Sequence, residues 1–292
     1  MQVSETLDRR QAGPTVLRML VGAQLRGLRE ARRLTRAEAG QAIRASHSKI
    51  SRLELGRTGF KSRDIADLLT LYGVVDEAER APLIALAHQA NDPSWWHPYA
   101  DIVPNWFEPY LGLEQSAGAI RGYEAQVVPG LLQTEAYAAA VIGLGNEHAS
   151  MDEIELRIGL RIQRQQILTR PEPVALWVVI DEAALRRPIG GAATMRDQLA
   201  HLIRMAELPH ISIQVLPFSA GGHLAVGGPI TILRLPQGEL SDVVYLEHLT
   251  NAHYPDKPAE IEHYRHILNG LSVQATRPAT TPALLRRILE ET

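Results

Sequence analysis

Cysteine is absent from the 292 residues. That excludes disulfide staples, thiolate nucleophiles and any zinc site built on Cys ligands. Lysine is almost absent too. Only Lys49, Lys61 and Lys257 occur among 30 basic residues, an Arg-for-Lys bias that reads, with the abundant alanine, as genomic codon pressure. No apolar run approaches the ~20 residues a membrane span needs. Residues 1–13 are polar and charged, without the basic stub and apolar stretch of a secretory signal. Signature enzyme loops are also missing: there is no nucleophile elbow, no phosphate-binding Gly-Lys loop and no dinucleotide fingerprint on a strand-to-helix turn. These absences point to a cytoplasmic protein that is not an enzyme, uses no cofactor or metal, and has no membrane partner.

What is present divides in two. A chain of this length implies two domains, and 45% hydrophobic residues suffice for their cores. The net charge of −3 hides an asymmetry: residues 1–90 hold 15 basic against 10 acidic side chains, and residues 91–292 hold 15 against 23. Between Arg9 and Arg63, 14 basic residues meet only Glu30, Glu38 and Glu54. A basic segment on an acidic body is the electrostatic footprint of a nucleic-acid contact.

After a flexible lead-in expected over residues 1–13, Leu17, Leu20, Val21, Leu25 and Leu28 recur at helical spacing. Thr35 stands three residues before Glu38, a capping-box pair that starts a second helix. Ser46 caps a third helix, which Gly56 stops. Two more helical patterns follow, near residues 63–72 and 76–89. The expectation is a five-helix, all-α domain over residues 14–92. Small Ala39 and Gly40 allow close helix approach, and Ile43, Ile50 and Leu53 supply inward contacts. The third helix then projects His47, Ser48, Lys49, Ser51 and Arg52 outward, hydrogen-bonding types without a carboxylate, as readers of base edges and phosphates should be.

Residues 14–75 resemble the XRE (lambda-repressor-like) helix-turn-helix family at Leu34–Thr35, Ser46, Ser48, Ile50–Glu54 and Gly56–Arg57. The resemblance implies His47, Ser48, Ser51 and Arg52 as base readers and Arg36, Lys49 and Arg57 as phosphate contacts on a double-stranded DNA operator. It implies a nucleoid-associated homodimer on a two-fold site. Two positions depart from the pattern. Arg36 replaces a polar residue at the start of the support helix, and Arg44 stands where glycine commonly supplies a positive φ.

Residues 93–292 mix helical patterns with strand-like runs at 174–180, 211–216, 229–235 and 243–249, which predicts an α+β domain with a mixed or antiparallel sheet. A helix is expected over residues 108–121. Segments Trp95-Trp96…Tyr99, residues 128–134, Arg161…Arg164-Gln165, 181–185 and 214–221 resemble the C-terminal domain of antitoxin-like XRE regulators of actinobacteria. That resemblance implies a small partner protein encoded in an adjacent gene. Trp95, Trp96, Tyr99 and Trp106 belong to an aromatic cluster that either packs a junction or forms an effector or partner surface, so a ligand-gated regulator with a pocket along residues 95–110 is the competing reading. The Gly-rich run 221–228 reads as a hairpin or flap. His263 and His266 solvate an exposed helix face, and Asp181 and Glu182 begin a helix. Arg157, Arg161 and Arg164 form a stripe whose members pair locally.

Overall fold

The computed structural model describes residues 13–236 and 240–292, so the lead-in over residues 1–12 lies outside the described residues. Two compact units are present. The first contains α1 (Pro14–Ala31), α2 (Arg36–Ala42), α3 (His47–Glu54), α4 (Ser62–Leu71) and α5 (Glu77–Gln89), and takes in α6 (Glu108–Ser116) from beyond the boundary expected at residue 92. Pro14 at the first position of α1 fixes φ where no N–H partner is needed. The helix buries Val16, Leu17, Leu20, Val21 and Leu25 as one stripe. Gly22 faces α3, where a Cβ would lie 2.5 Å from the Leu53 carbonyl oxygen. Gly112 does the same service for α6, because a Cβ there would strike the Thr15 hydroxyl oxygen at 2.1 Å.

Helices α1 to α4 share one ending. In each, a residue with positive φ follows the C-cap, and the next N–H reaches back five residues: Leu34 to Arg29, Ala45 to Gly40, Arg57 to Arg52 and Val74 to Leu69, at 2.8–3.2 Å. This is the Schellman geometry. Glycine supplies the positive φ at Gly56 and Gly73, but arginine does so at Arg33 (φ 56°) and Arg44 (φ 53°). The turn departure read in the sequence at Arg44 is therefore a left-handed arginine, not a rebuilt turn.

The second unit is built on a six-stranded mixed sheet. In chain order its elements are β1 (Ala119–Glu124), α7 (Glu135–Gly145), α8 (Met151–Arg164), β2 (Ala175–Asp181), α9 (Glu182–Arg186), α10 (Ala192–Met205), β3 (Ile211–Leu216), β4 (Ile230–Arg234), β5 (Val243–Glu247), β6 (Ala252–His253), α11 (Pro258–Gln274) and α12 (Thr281–Glu291). The sheet order is β3-β2-β1-β4-β5-β6. β1 pairs parallel with β2, which pairs parallel with β3, and the β4 and β5 ladders are antiparallel. One face packs Tyr123, Val179, Leu216, Ile230, Ile232 and Val244 against Ile261, Ile267, Leu268 and Leu271 of α11.

Two expectations are corrected. The helix expected over residues 108–121 ends at Ser116, and β1 begins three residues later at the centre of the sheet. Its sequence, Ala-Ile-Arg-Gly-Tyr-Glu, has little strand propensity of its own; paired neighbours on both sides impose the conformation. The Gly-rich run 221–228 is no hairpin, since β3 and β4 are not neighbours and the segment crosses between them. Asp181 caps α9, accepting the Ala183 N–H at 2.9 Å, and Arg157 pairs with Glu153 one turn before it at 2.7 Å.

Candidate nucleic-acid interface

The α2–turn–α3 segment is set by its caps. Thr35 Oγ1 accepts the Glu38 N–H at 3.2 Å, and the Glu38 carboxylate accepts the Thr35 N–H at 2.7 Å. The Thr35 N–H and the Thr35 hydroxyl, which donates to the same carboxylate at 2.8 Å, hold the Glu38 carboxyl below its ordinary pKa. Ser46 Oγ accepts the Lys49 N–H at 3.2 Å and starts α3. Between the helices the turn is tight enough that a Cβ on Gly40 would lie 2.6 Å from the Ala45 carbonyl oxygen. Gly56 ends α3 where a Cβ would meet the Met19 nitrogen at 2.6 Å, so both its φ of 65° and its lack of a side chain are required.

Ala39, Ile43, Ile50 and Leu53 point inward and are buried. His47, Ser48 and Arg52 are exposed, and Ser51 is half-buried beside them. No carboxylate interrupts that face, because the only acid of α3, Glu54, is turned inward with a side chain 2% exposed. Glu54 joins three helices. Arg29 of α1 grips both its oxygens, and Arg36 of α2 donates Nε to Oε2 at 3.0 Å. Carboxylate hydrogen bonding raises the Arg29 guanidinium above its ordinary value, opposed by burial.

The expected phosphate contacts divide accordingly. Arg36 is half-buried and tied to Glu54. Lys49 is tied to Asp64 of α4. Arg57 is exposed just past α3. Arg29, Glu30, Thr35, Arg36, Ala37 and His47 line a shallow open depression at the start of α2. The Arg29–Glu54–Arg36 network is absent from the sequence reading, yet its signal was there: Arg29 follows Leu25, and Glu54 follows Ile50, each by four residues on an inward stripe.

The members of the aromatic run fall in both units. Trp95 and Trp96 belong to the first unit, packed edge to face at 5.8 Å, with Trp96 buried. Tyr99 and Trp106 belong to the second. There the Tyr99 hydroxyl donates to Gln163 of α8 at 2.9 Å, and the Trp106 carbonyl accepts from the Tyr254 hydroxyl at 2.9 Å.

Residues 20–83 match the family described as Helix-turn-helix domain, a span running from the second turn of α1 into α5. The first unit thus carries a helix-turn-helix DNA-binding domain. Residues 107–287 match the family described as Domain of unknown function (DUF5753), more than half of the chain. The chain belongs to the DUF5753 family. No curated protein and no solved structure matches it. The DUF5753 region contains all six strands and the helices packed on them. No described helix is long and apolar enough to cross a membrane.

Proposed function

We propose that the protein is a sequence-specific transcriptional regulator of the XRE type, cytoplasmic and not an enzyme, whose second unit takes the regulatory input. The observation that carries this reading is the exposed face of α3, where His47, Ser48, Ser51 and Arg52 stand without an intervening acid. Side chains of these types, on a helix that fits the major groove, read base edges. Arg57 and Arg36 reach phosphates. Arg36 gives only Nε to Glu54, so its terminal nitrogens stay available to a phosphate oxygen. A phosphate contact by Lys49 competes with Asp64. The working form is a homodimer on a two-fold operator, since one helix-turn-helix unit buries little DNA surface. An antitoxin-like partner, a small protein encoded in the adjacent gene, acts through the second unit. Support for that part comes from the resemblance of the C-terminal segments alone.

The test begins by mapping bound genomic sites to obtain the operator. Arg52→Ala and His47→Ala each weaken operator binding by about 1–3 kcal/mol and relax sequence preference. Unchanged affinity in both variants overturns the base-reading assignment. Adding the purified neighbour-encoded protein changes operator occupancy if it is the partner; no complex and no change removes it.

A further inference from the structure

On β1 and β4 the register sets Arg121 opposite Ile232 and Ala119 opposite Arg234. Side chains alternate along a strand, so Arg121 and Arg234 stand on one face of the sheet as diagonal neighbours. Helix α11 packs on that face and brings Arg265 and Asn269, one turn apart. Three guanidinium groups thus gather at the amino end of β1 around one buried carboxylate. Asp242, with a side chain 7% exposed, accepts Arg234 Nε and Nη2, both at 3.1 Å. It also accepts Arg265 Nε at 3.0 Å, and Arg265 Nη2 lies 2.9 Å away. At the rim, Glu262 accepts Arg265 Nη1 at 3.1 Å.

Among the described residues the third cation has no acid bonded to it. The Arg121 guanidinium lies 4.0 Å from the centroid of the Trp177 ring, and its Nη2 donates to Asn269 Oδ1 at 2.7 Å. Its Nε is buried and has no partner. Nη1 of Arg121 and Nη1 of Arg234 also donate to nothing among the described residues. Burial first, then the Arg234 charge, lower the Arg121 guanidinium from its ordinary value, with Asp242 opposing and Arg265 adding. Arginine nevertheless stays charged at neutral pH.

This arrangement reverses the local field of an acidic region, since residues 91–292 hold 23 acidic against 15 basic side chains. Like charges on adjacent strands oppose one another, and a buried donor without a partner calls for an explanation. The cluster is open to water: the Arg234 side chain is 59% exposed, that of Arg265 33%, and Asn269 is exposed. A group of a few atoms therefore needs no cavity to meet these donors.

We propose that this corner of the second unit binds a small tetrahedral oxyanion, phosphate or sulfate, between Arg121 and Arg234, bordered by Asn269 and Arg265. Guanidinium forks match such oxygens in pairs. A dianion balances the two charges left once Asp242 is counted, because Glu262 is 70% exposed and screened by water. The Trp177 ring and Asn269 hold the Arg121 fork in place before the ion arrives. The site stands without the DNA-binding reading; only its use as the regulatory input rests on that reading.

Titration calorimetry of the full-length protein with inorganic phosphate, sulfate and acetate at low salt tests this. Expected is saturable binding of phosphate and sulfate, with acetate at least about 10-fold weaker and all affinities falling as chloride rises. Arg121→Lys keeps the charge but loses the fork, and Arg234→Gln loses an exposed cation. Each weakens phosphate binding by at least about 10-fold, with folding checked by circular dichroism. Glu262→Gln removes the rim acid and tightens binding by about 2–5-fold, which a merely structural ion-pair network does not do. No saturable binding to the wild type overturns the proposal. Phosphate held equally by both arginine variants sits elsewhere and overturns it too. Operator binding by the same samples in phosphate-free buffer separates the two readings. Loss of DNA affinity in both arginine variants assigns the cluster to the DNA backbone and overturns the small-ion site. DNA binding without anion binding sinks the site alone, and anion binding without DNA binding upholds it.

Discussion

Replacing Glu54 by glutamine removes one charge and almost no volume from the centre of the helix-turn-helix unit. The Glu54 side chain is 2% exposed and that of Arg29 8%, so solvent screens their interaction poorly. Removing one member of such a pair costs about 3–5 kcal/mol, mostly from the cation left behind. Two features reduce that figure. Arg29 keeps the Leu34 carbonyl at 2.6 Å and Glu30 at 3.3 Å, and Arg36, 32% exposed, can turn to water. Against them, the glutamine amide brings N–H groups toward guanidinium donors. The balance is a loss of about 3 kcal/mol. For a helical unit of this size, each kcal/mol moves the midpoint by about 4–8 °C. Thermal unfolding followed by circular dichroism at 222 nm therefore shows the first unit melting roughly 12–24 °C lower, and urea unfolding shows a matching fall in midpoint. A double variant, Arg29→Leu with Glu54→Leu, recovers most of the loss because no buried charge is stranded. A loss below about 1 kcal/mol in Glu54→Gln refutes the idea that this network holds α1, α2 and α3 together.

Further expectations follow from close contacts and strained backbone. Gly22→Ala drives a methyl group into the Leu53 carbonyl and destabilises by about 1–3 kcal/mol in chemical denaturation, with a neutral result arguing against close α1–α3 packing. Arg44→Gly relieves a left-handed arginine worth about 1–2 kcal/mol, less about 0.5–1 kcal/mol of added chain entropy, for a net gain of up to about 1.5 kcal/mol; a loss shows that the turn is not strained. Lys49→Ala leaves the largely buried Asp64 unpaired and lowers stability even without DNA, whereas a pure phosphate contact changes only binding and its salt slope. Glu124 binds its proton more tightly folded than unfolded. Its stabilising effect is thus complete below the unfolded value near 4.5 and is lost as pH rises through about 8. Glu124→Gln accordingly matches the wild type near pH 4.5 and exceeds it near pH 9 in denaturant midpoint, and a constant difference across that window contradicts the shift.

The helix-turn-helix unit was legible because its determinants are local. Thr35 with Glu38, Ser46 and Gly56 mark helix ends by spacing alone, and those ends stand where the caps place them. The outward set on α3 follows from the same period. What could not be read was pairing across the fold: Glu54 with Arg29 and Arg36, and Lys49 with Asp64. A sequence shows that a charge lies on an apolar stripe, but its partner comes from another helix. In the second unit, β3 coincides with its apolar run, because Ile211, Ile213, Val215 and Leu216 mark a strand by local spacing alone. The helix expected over residues 108–121 runs into the first half of β1, since that strand's conformation is supplied by β2 and β4 from about 55 to 115 residues downstream. Glu124 went unnoticed with it.

The position of β1 also sets an order of events during synthesis. Helices α1 to α5 lie within residues 14–89 and meet neighbours that are near in the chain, so they can assemble as soon as they leave the ribosome. β1, the centre of the sheet, emerges shortly afterwards, with β2 about 55 residues behind it and β4 about 110. At elongation rates of roughly 5–20 residues per second, its second edge stays open for several seconds after it emerges. The nascent chain therefore presents a finished DNA-reading unit tethered to an unfinished sheet. A second copy translated from the same message, or any protein made beside it, meets that open edge before β4 does.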